Sequence, residues 1–141
     1  MANKSEARQS GGCQCGAVRF SVSKPPESAA AVCHCLSCRK SVGAPLVGWA
    51  MFTQDAVQVS GVLPTVYVSS EGVKRSFCGT CGTSLFFEAD YISGLIDITT
   101  ESFDDPDAMT PTAQIWVSQE GACMKTLKDM VRFDALPPNA G

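Results

Sequence analysis

The stretch Phe77-Cys78-Gly79-Thr80-Cys81-Gly82-Thr83 decides how the rest of this chain is read. Two cysteines with two residues between them, closed by a glycine, make a knuckle. The glycine permits a tight turn with close backbone approach, so both sulfurs reach one point. A strand-like run, 84–88, follows. The pattern recurs upstream, where Cys13-Gln14-Cys15-Gly16 precedes the strand-like run 17–22. Two such knuckles facing each other make a closed four-sulfur clip across roughly 60 residues of chain, stabilised by loop closure and by metal–ligand energy coupled to folding.

Between the knuckles lies Cys33-His34-Cys35-Leu36-Ser37-Cys38. Cys33 and Cys35 fall on one side of an extended segment. Cys38 comes one turn later if a short helix runs over 36–42. Three thiolates on one zinc leave a fourth position open, as a catalytic zinc requires, whereas a structural zinc is closed by four ligands. Spacing alone leaves a second pairing open: Cys35-x₂-Cys38 with Cys78-x₂-Cys81 is an acceptable zinc ribbon, with Cys13, Cys15 and Cys33 left over.

These groups hold seven of the eight cysteines. Residues 1–10 are polar and lack the apolar core of a signal peptide, so a cytoplasmic location with reduced thiols is expected. Clustered reduced thiols are soft ligands, for which Zn²⁺ is the first expectation and iron–sulfur the lesser one. The 141 residues, 45% hydrophobic and 18% charged, suffice for one domain with a real core. A net charge of −3 counts against a basic face for nucleic acid or an anionic membrane. No apolar run approaches the roughly 20 residues of a bilayer span.

Period-two alternation marks 17–22 as a half-buried strand, with Val18, Phe20 and Val22 on one face. Further strands are expected at 29–32, 46–52, 56–59, 85–88, 95–100 and 113–117. Runs 65–68 and 73–77 flank Ser69-Ser70-Glu71-Gly72, a hairpin signal. Asp104-Asp105-Pro106-Asp107 carries turn or single-turn-helix chemistry. The expected architecture is all-β: twisted antiparallel sheets with little helix, in a single domain over 11–133. A disordered or extended tail over 1–10 and a loose tail over 134–141 flank it.

Three segments resemble one known family: Gly12 to Phe20, then Cys33-His34-Cys35 with Cys38-Arg39, then Ser76-Phe77-Cys78 with Cys81-Gly82-Thr83. It is the glutathione-dependent formaldehyde-activating enzyme family, which includes the centromere-protein-V-like domains. The resemblance extends from about Gly11 to Trp116, and takes in Asp104-Asp105-Pro106 and Ile115-Trp116. It implies a zinc-clipped β-tent with two zincs per chain. Cys13, Cys15, Cys78 and Cys81 would hold the structural zinc. Cys33, Cys35 and Cys38 would hold the catalytic one, with an open position. It implies condensation of glutathione with formaldehyde to S-hydroxymethylglutathione, formally a carbon–sulfur lyase run in reverse. This sequence departs in two places. Leu36-Ser37 stands where many members carry Ser-Asp, and Gln114 stands where a His often precedes Ile-Trp.

A thiol adds to an aldehyde as thiolate, and with a free pKa of about 8.5 it needs help to ionise at neutral pH. An open zinc position strips that proton and holds the sulfur. An anionic tripeptide also needs nearby cations; Arg39 and Lys40, beside Cys38, are the first candidates by sequence, and Arg75 a weaker one. His34 is read as a packing or substrate-facing residue rather than a ligand, since adjacent side chains of an extended segment point apart. Trp49 and Trp116 are read as core, and Cys123 as a small buried or incidental residue rather than an eighth ligand. Two other classes of function remain on sequence grounds. One is a non-catalytic zinc module, both zincs structural, that binds a protein or nucleic acid. The other is metal storage or zinc-linked redox sensing.

Overall fold

The computed structural model describes residues 8–139. Strand β1 (Gln9–Gly12) pairs with β2 (Val18–Val22), and β2 pairs with β5 (Val57–Gly61), to make a three-stranded antiparallel sheet. The second sheet has seven strands in the order β10 (Ala113–Ile115), β3 (Ala31–Cys33), β4 (Val47–Thr53), β9 (Leu95–Thr99), β8 (Ser84–Ala89), β7 (Val73–Phe77), β6 (Thr65–Ser70). All its pairs are antiparallel except β10 with β3, which is parallel. Two short α-helices, α1 (Leu36–Val42) and α2 (Ala122–Thr126), and several 3₁₀ turns complete the fold. It is mostly β, as expected, with one parallel edge among the antiparallel strands.

The alternation of β2 has the expected result: Val18, Phe20 and Val22 are buried, and Arg19 and Ser21 are not. Phe20 points from the small sheet toward the large one, meeting Phe86 edge-on at 5.7 Å and Phe103 at 5.0 Å. Phe52, Leu85, Ile96 and Ile98 complete this inter-sheet core. Burying each large side chain stabilises by about 1.5–3 kcal/mol before entropy is subtracted.

Strand β4 shows why the large sheet carries function. Its residues Ala50 and Phe52 belong to the inter-sheet core, while Val47 and Trp49 pack with Cys33 and Cys38 in a second cluster. A strand buried on both faces sits between two layers. One layer is the small sheet; the other is α1 and a cavity.

Several boundaries differ from the sequence reading. Gln9 and Ser10, expected in the tail, belong to β1, whose glycine-rich sequence carries no strand propensity and is held by its pairing to β2. Residues 1–7 of that expected tail, and 140–141 of the C-terminal one, lie outside the described residues; 134–139 form neither helix nor strand. Helix α2 was not anticipated. Among the described residues no helix is long and apolar enough to cross a membrane.

Candidate metal centres and their cavity

The two knuckles come together. The sulfurs of Cys13, Cys15, Cys78 and Cys81 all lie within 4.8 Å of one another. Cys15 Sγ is 3.5 Å from Cys13 Sγ and 3.8 Å from Cys78 Sγ. A tetrahedral zinc with bonds of about 2.3 Å needs its sulfurs about 3.8 Å apart, so the donor set and spacing fit that ion. The glycines closing both knuckles, Gly16 and Gly82, have φ of 81° and 82°, a left-handed backbone open to glycine at little cost. Backbone amides point at the sulfurs: Val18 N–H donates to Cys13 Sγ (3.2 Å), and those of Thr80 and Cys81 donate to Cys78 Sγ (both 3.4 Å). Thr83 ties the knuckles together. Its hydroxyl accepts from Gln14 N–H (3.0 Å) and lies 3.2 Å from Cys81 Sγ. Thr83, through hydroxyl and backbone, holds the Cys81 thiol down to about 5. All eight cysteines are free of disulfides.

The second group forms from one continuous segment. Cys33 ends β3, Cys35 caps α1 by accepting from Cys38 N–H (3.2 Å), and Cys38 sits in the helix's first turn. Their sulfurs also lie within 4.8 Å of one another. Gly43 ends the helix with φ 73°, so the helix spans little more than its cysteine-bearing turn. The three sulfurs suit a soft divalent ion and leave a tetrahedron one ligand short. Two cysteine clusters able to bind metal are therefore present. They group the cysteines as the knuckle pairing does, four and three, rather than as a ribbon.

These three thiols line a cavity of about 560 Å³, within the usual size range of ligand sites. Trp49, Met51, Phe87 and Trp116 supply apolar wall; Arg75, Asp97, Tyr91 and Gln119 supply polar groups. Arg75 is buried, lies 5.0 Å over the Phe87 ring, and aims both terminal nitrogens at Cys38 Sγ (3.6 and 3.7 Å). Burial pushes the Cys33 thiol up to about 12, with the neighbouring Cys38 and Cys35 adding to the rise. Burial also raises Cys38, against the opposing pull of Arg75. An arriving cation must displace those protons, which its own charge makes favourable. Burial alone raises the Asp97 carboxyl to about 6.

The expected anion-binding pair is placed differently. Arg39 donates to the Gln119 carbonyl (3.0 Å) and does not line the three-cysteine cavity; it is a tie between α1 and the chain's later part. Lys40 lies in an adjoining hollow of about 880 Å³ that shares Ser37, Ser69 and Arg75 with the cavity. Arg75, the weaker candidate by sequence, reaches a cysteine sulfur, as neither Arg39 nor Lys40 does. On a seven-residue helix, positions 38, 39 and 40 point in three directions, so sequence proximity to Cys38 does not place a side chain at its sulfur.

His34 is fully buried, and its Nε2 pairs with Gln114 Oε1 at 2.8 Å across the parallel β3–β10 contact. It is not in either sulfur cluster. Trp49 is buried, but Trp116 is 58% exposed, with φ 58°, on the cavity rim; the expectation of a core residue there is corrected. Cys123 is exposed and lies in neither sulfur cluster. Asp97 and Tyr91 were not singled out from sequence. For Asp97 a signal existed: it is the one charge inside the apolar run Leu95-Ile96-Asp97-Ile98.

The profile of the family described as glutathione-dependent formaldehyde-activating enzyme matches residues 8–119. Among solved structures, the chain is similar to the crystal structure of a Rhodobacter sphaeroides protein, a structural-genomics target. The match has a TM-score of 0.61 at 21% identity and covers 74% of this chain and 98% of that one. At that identity the likeness is one of fold.

Proposed function

The chain belongs to the glutathione-dependent formaldehyde-activating enzyme family, and on that premise we propose that it joins a thiol to an aldehyde. The thiol is glutathione or a close relative, the aldehyde formaldehyde or a related one, and the product an S-hydroxyalkyl adduct. Formally this is a carbon–sulfur lyase working in the direction of addition. The observation that carries the reading is the walled cavity on Cys33, Cys35 and Cys38, where three sulfurs converge and, among the described residues, no fourth ligand joins them.

Cys33, Cys35 and Cys38 would hold a zinc ion, whose positive charge would favour the ionised form of an incoming thiol. The chain's own residues do the rest. Arg75 places a fixed positive charge beside Cys38 and offsets the negative charge gathered there. Trp49, Phe87 and Trp116 wall the cavity, hold water away and leave room for a small aldehyde. The thiolate sulfur attacks the carbonyl carbon; the carbon–oxygen π pair moves onto oxygen, which takes up a proton. Cys13, Cys15, Cys78 and Cys81 have no such part, because four ligands already close a tetrahedron. The need for seven reduced thiols fits a cytoplasmic setting.

The test begins with metal content. Freshly purified reduced protein should hold two zincs per chain, one of them perturbed by glutathione followed by desalting. Adduct formation from glutathione and formaldehyde should exceed the uncatalysed rate. Cys35→Ser should remove that acceleration while leaving the other zinc bound. Unchanged turnover by Cys35→Ser, in a preparation whose wild type is active, overturns the proposal.

A further inference from the structure

One row of side chains crosses the floor of the three-cysteine cavity. The strand registers place Tyr67 opposite Arg75, Arg75 opposite Phe87, Phe87 opposite Asp97, and Asp97 opposite Met51. Directly opposed residues put their side chains on the same face of a sheet. Ile96 and Ile98, the chain neighbours of Asp97, point into the inter-sheet core, so Asp97 points the other way. Adjacent strands lie about 4.8 Å apart, which sets the backbone positions of Arg75 and Asp97 roughly 10 Å apart, with both side chains reaching into the cavity between. The row therefore has a cationic end, at Cys38, and an acidic end.

The acidic end has no structural explanation of the ordinary kind. Among the described residues the Asp97 carboxylate makes no hydrogen bond and no salt bridge. It is nevertheless half-buried between Met51 and Phe87, where partial desolvation disfavours its charge. A residue kept for stability would carry a partner or be apolar. A residue kept for proton transfer to a ligand must leave its oxygens free to meet that ligand.

We propose that Asp97 is the proton carrier of the thiol–aldehyde reaction, taking the proton the thiol loses and returning it to the carbonyl oxygen. This rests on the function proposed above and assigns it a second reacting group. The balance closes without a co-reactant: sulfur loses a proton to Asp97, the carbon–sulfur bond forms, the carbonyl π bond breaks, and oxygen receives the proton. Arg75 orients the thiol at one end of the row, and Asp97 meets the aldehyde oxygen at the other. The groups around Asp97 suit this. Strands β4 and β8 present only Trp49, Met51 and Phe87. The titratable and charged groups sharing the cavity are Tyr91 from the turn after β8, Arg75 from β7, Cys33 from β3, and Cys35 and Cys38 at α1. Burial raises the carboxyl to about 6, close to the operating pH, where a proton carrier is most effective.

The experiment compares wild type, Asp97→Asn and Asp97→Glu, all loaded with zinc, using glutathione and formaldehyde across pH 5 to 8. Asp97→Asn should lower kcat/KM by about 100-fold and abolish an acidic limb near pH 6 that wild type shows. Its zinc content and glutathione-induced zinc perturbation should stay as in wild type. Asp97→Glu, which keeps the carboxyl should the amide variant fold poorly, should retain the limb and part of the rate. Independently of turnover, the carboxyl carbon resonance of Asp97 should titrate well above those of the exposed aspartates. Wild-type kcat/KM and limb in Asp97→Asn, or a carboxyl titrating with the exposed aspartates, overturns the assignment and leaves the function standing. A fully metallated wild type without acceleration overturns both.

Discussion

The two cysteine clusters offer the same ligand chemistry in different settings. The four-cysteine site draws its sulfurs from two knuckles 63 residues apart in the chain, as Cys15 and Cys78 show. It joins the turn after β1 to the turn after β7, hence the small sheet to the large one. Backbone amides and Thr83 supply polar contacts to its sulfurs. The three-cysteine site takes its sulfurs from six consecutive residues, 33–38, and so closes no long loop. Its surroundings are a cavity, a buried cation and a half-buried acid. A metal on the first set would close a long loop and so bear on folding; one on the second would close none, which is consistent with the separate roles proposed above.

That contrast breaks first if the four-cysteine site can be lost cheaply. Cys78→Ser should remove the metal–ligand energy coupled to folding, worth several kcal/mol and at most about 10–16 for small zinc domains. The expected result is loss of the cooperative melting transition. Cys35→Ser should instead melt within a few degrees of wild type. Equal damage by both would erase the distinction. Graded chelation gives the same comparison without mutation: one zinc per chain should leave first, with far-UV circular dichroism unchanged, and the second only with unfolding. Simultaneous loss of both would count against separate roles.

Arg75→Met sharpens the contrast on one side only. Removing the charge that opposes the burial-driven rise of Cys38 should leave that thiol harder to ionise. Zinc affinity of the three-cysteine site should fall about 10–100-fold, measured by chelator competition, while the four-cysteine zinc stays put. An unaltered affinity would reduce Arg75 to a packing residue over Phe87.

The smallest effect is one of pH. The native Asp97 carboxyl, raised to about 6, binds protons that the unfolded chain has already released. Stability is therefore lost as pH rises from about 4 through about 6, and it is not regained above. Asp97→Asn removes that loss. It should be more stable than wild type by about 1–2 kcal/mol at pH 8 and no different at pH 4, by denaturant titration at both values. A variant less stable at pH 8 would mean that Asp97 has a structural partner after all.

Much of the fold was legible because its strands carry local signals. The alternation of Val18, Phe20 and Val22, the turn Ser69-Ser70-Glu71-Gly72 and the short helix after Cys35 each depend on neighbours in the chain. Strand β1 had no such signal: Gln9-Ser10-Gly11-Gly12 is a strand because β2 offers it hydrogen bonds. The cysteine groups were legible for a related reason, since a metal ligand must be a particular residue type at short spacing. The cavity was not. Arg75, Asp97, Tyr91 and Trp116 come from separate elements, and nothing in the sequence near Cys38 names them. Proximity in sequence pointed to Arg39, which folding turns toward Gln119.

The sequence by itself determined the ligands, the short strands and their burial faces, because each is a matter of residue type and period within a few positions. Only the tertiary structure decided which charges accompany the open site. Strand register set Arg75, Phe87, Asp97 and Met51 side by side in one row. Register depends on how whole sheets pack and pair, and a shift of one residue would have turned every member of that row to the opposite face.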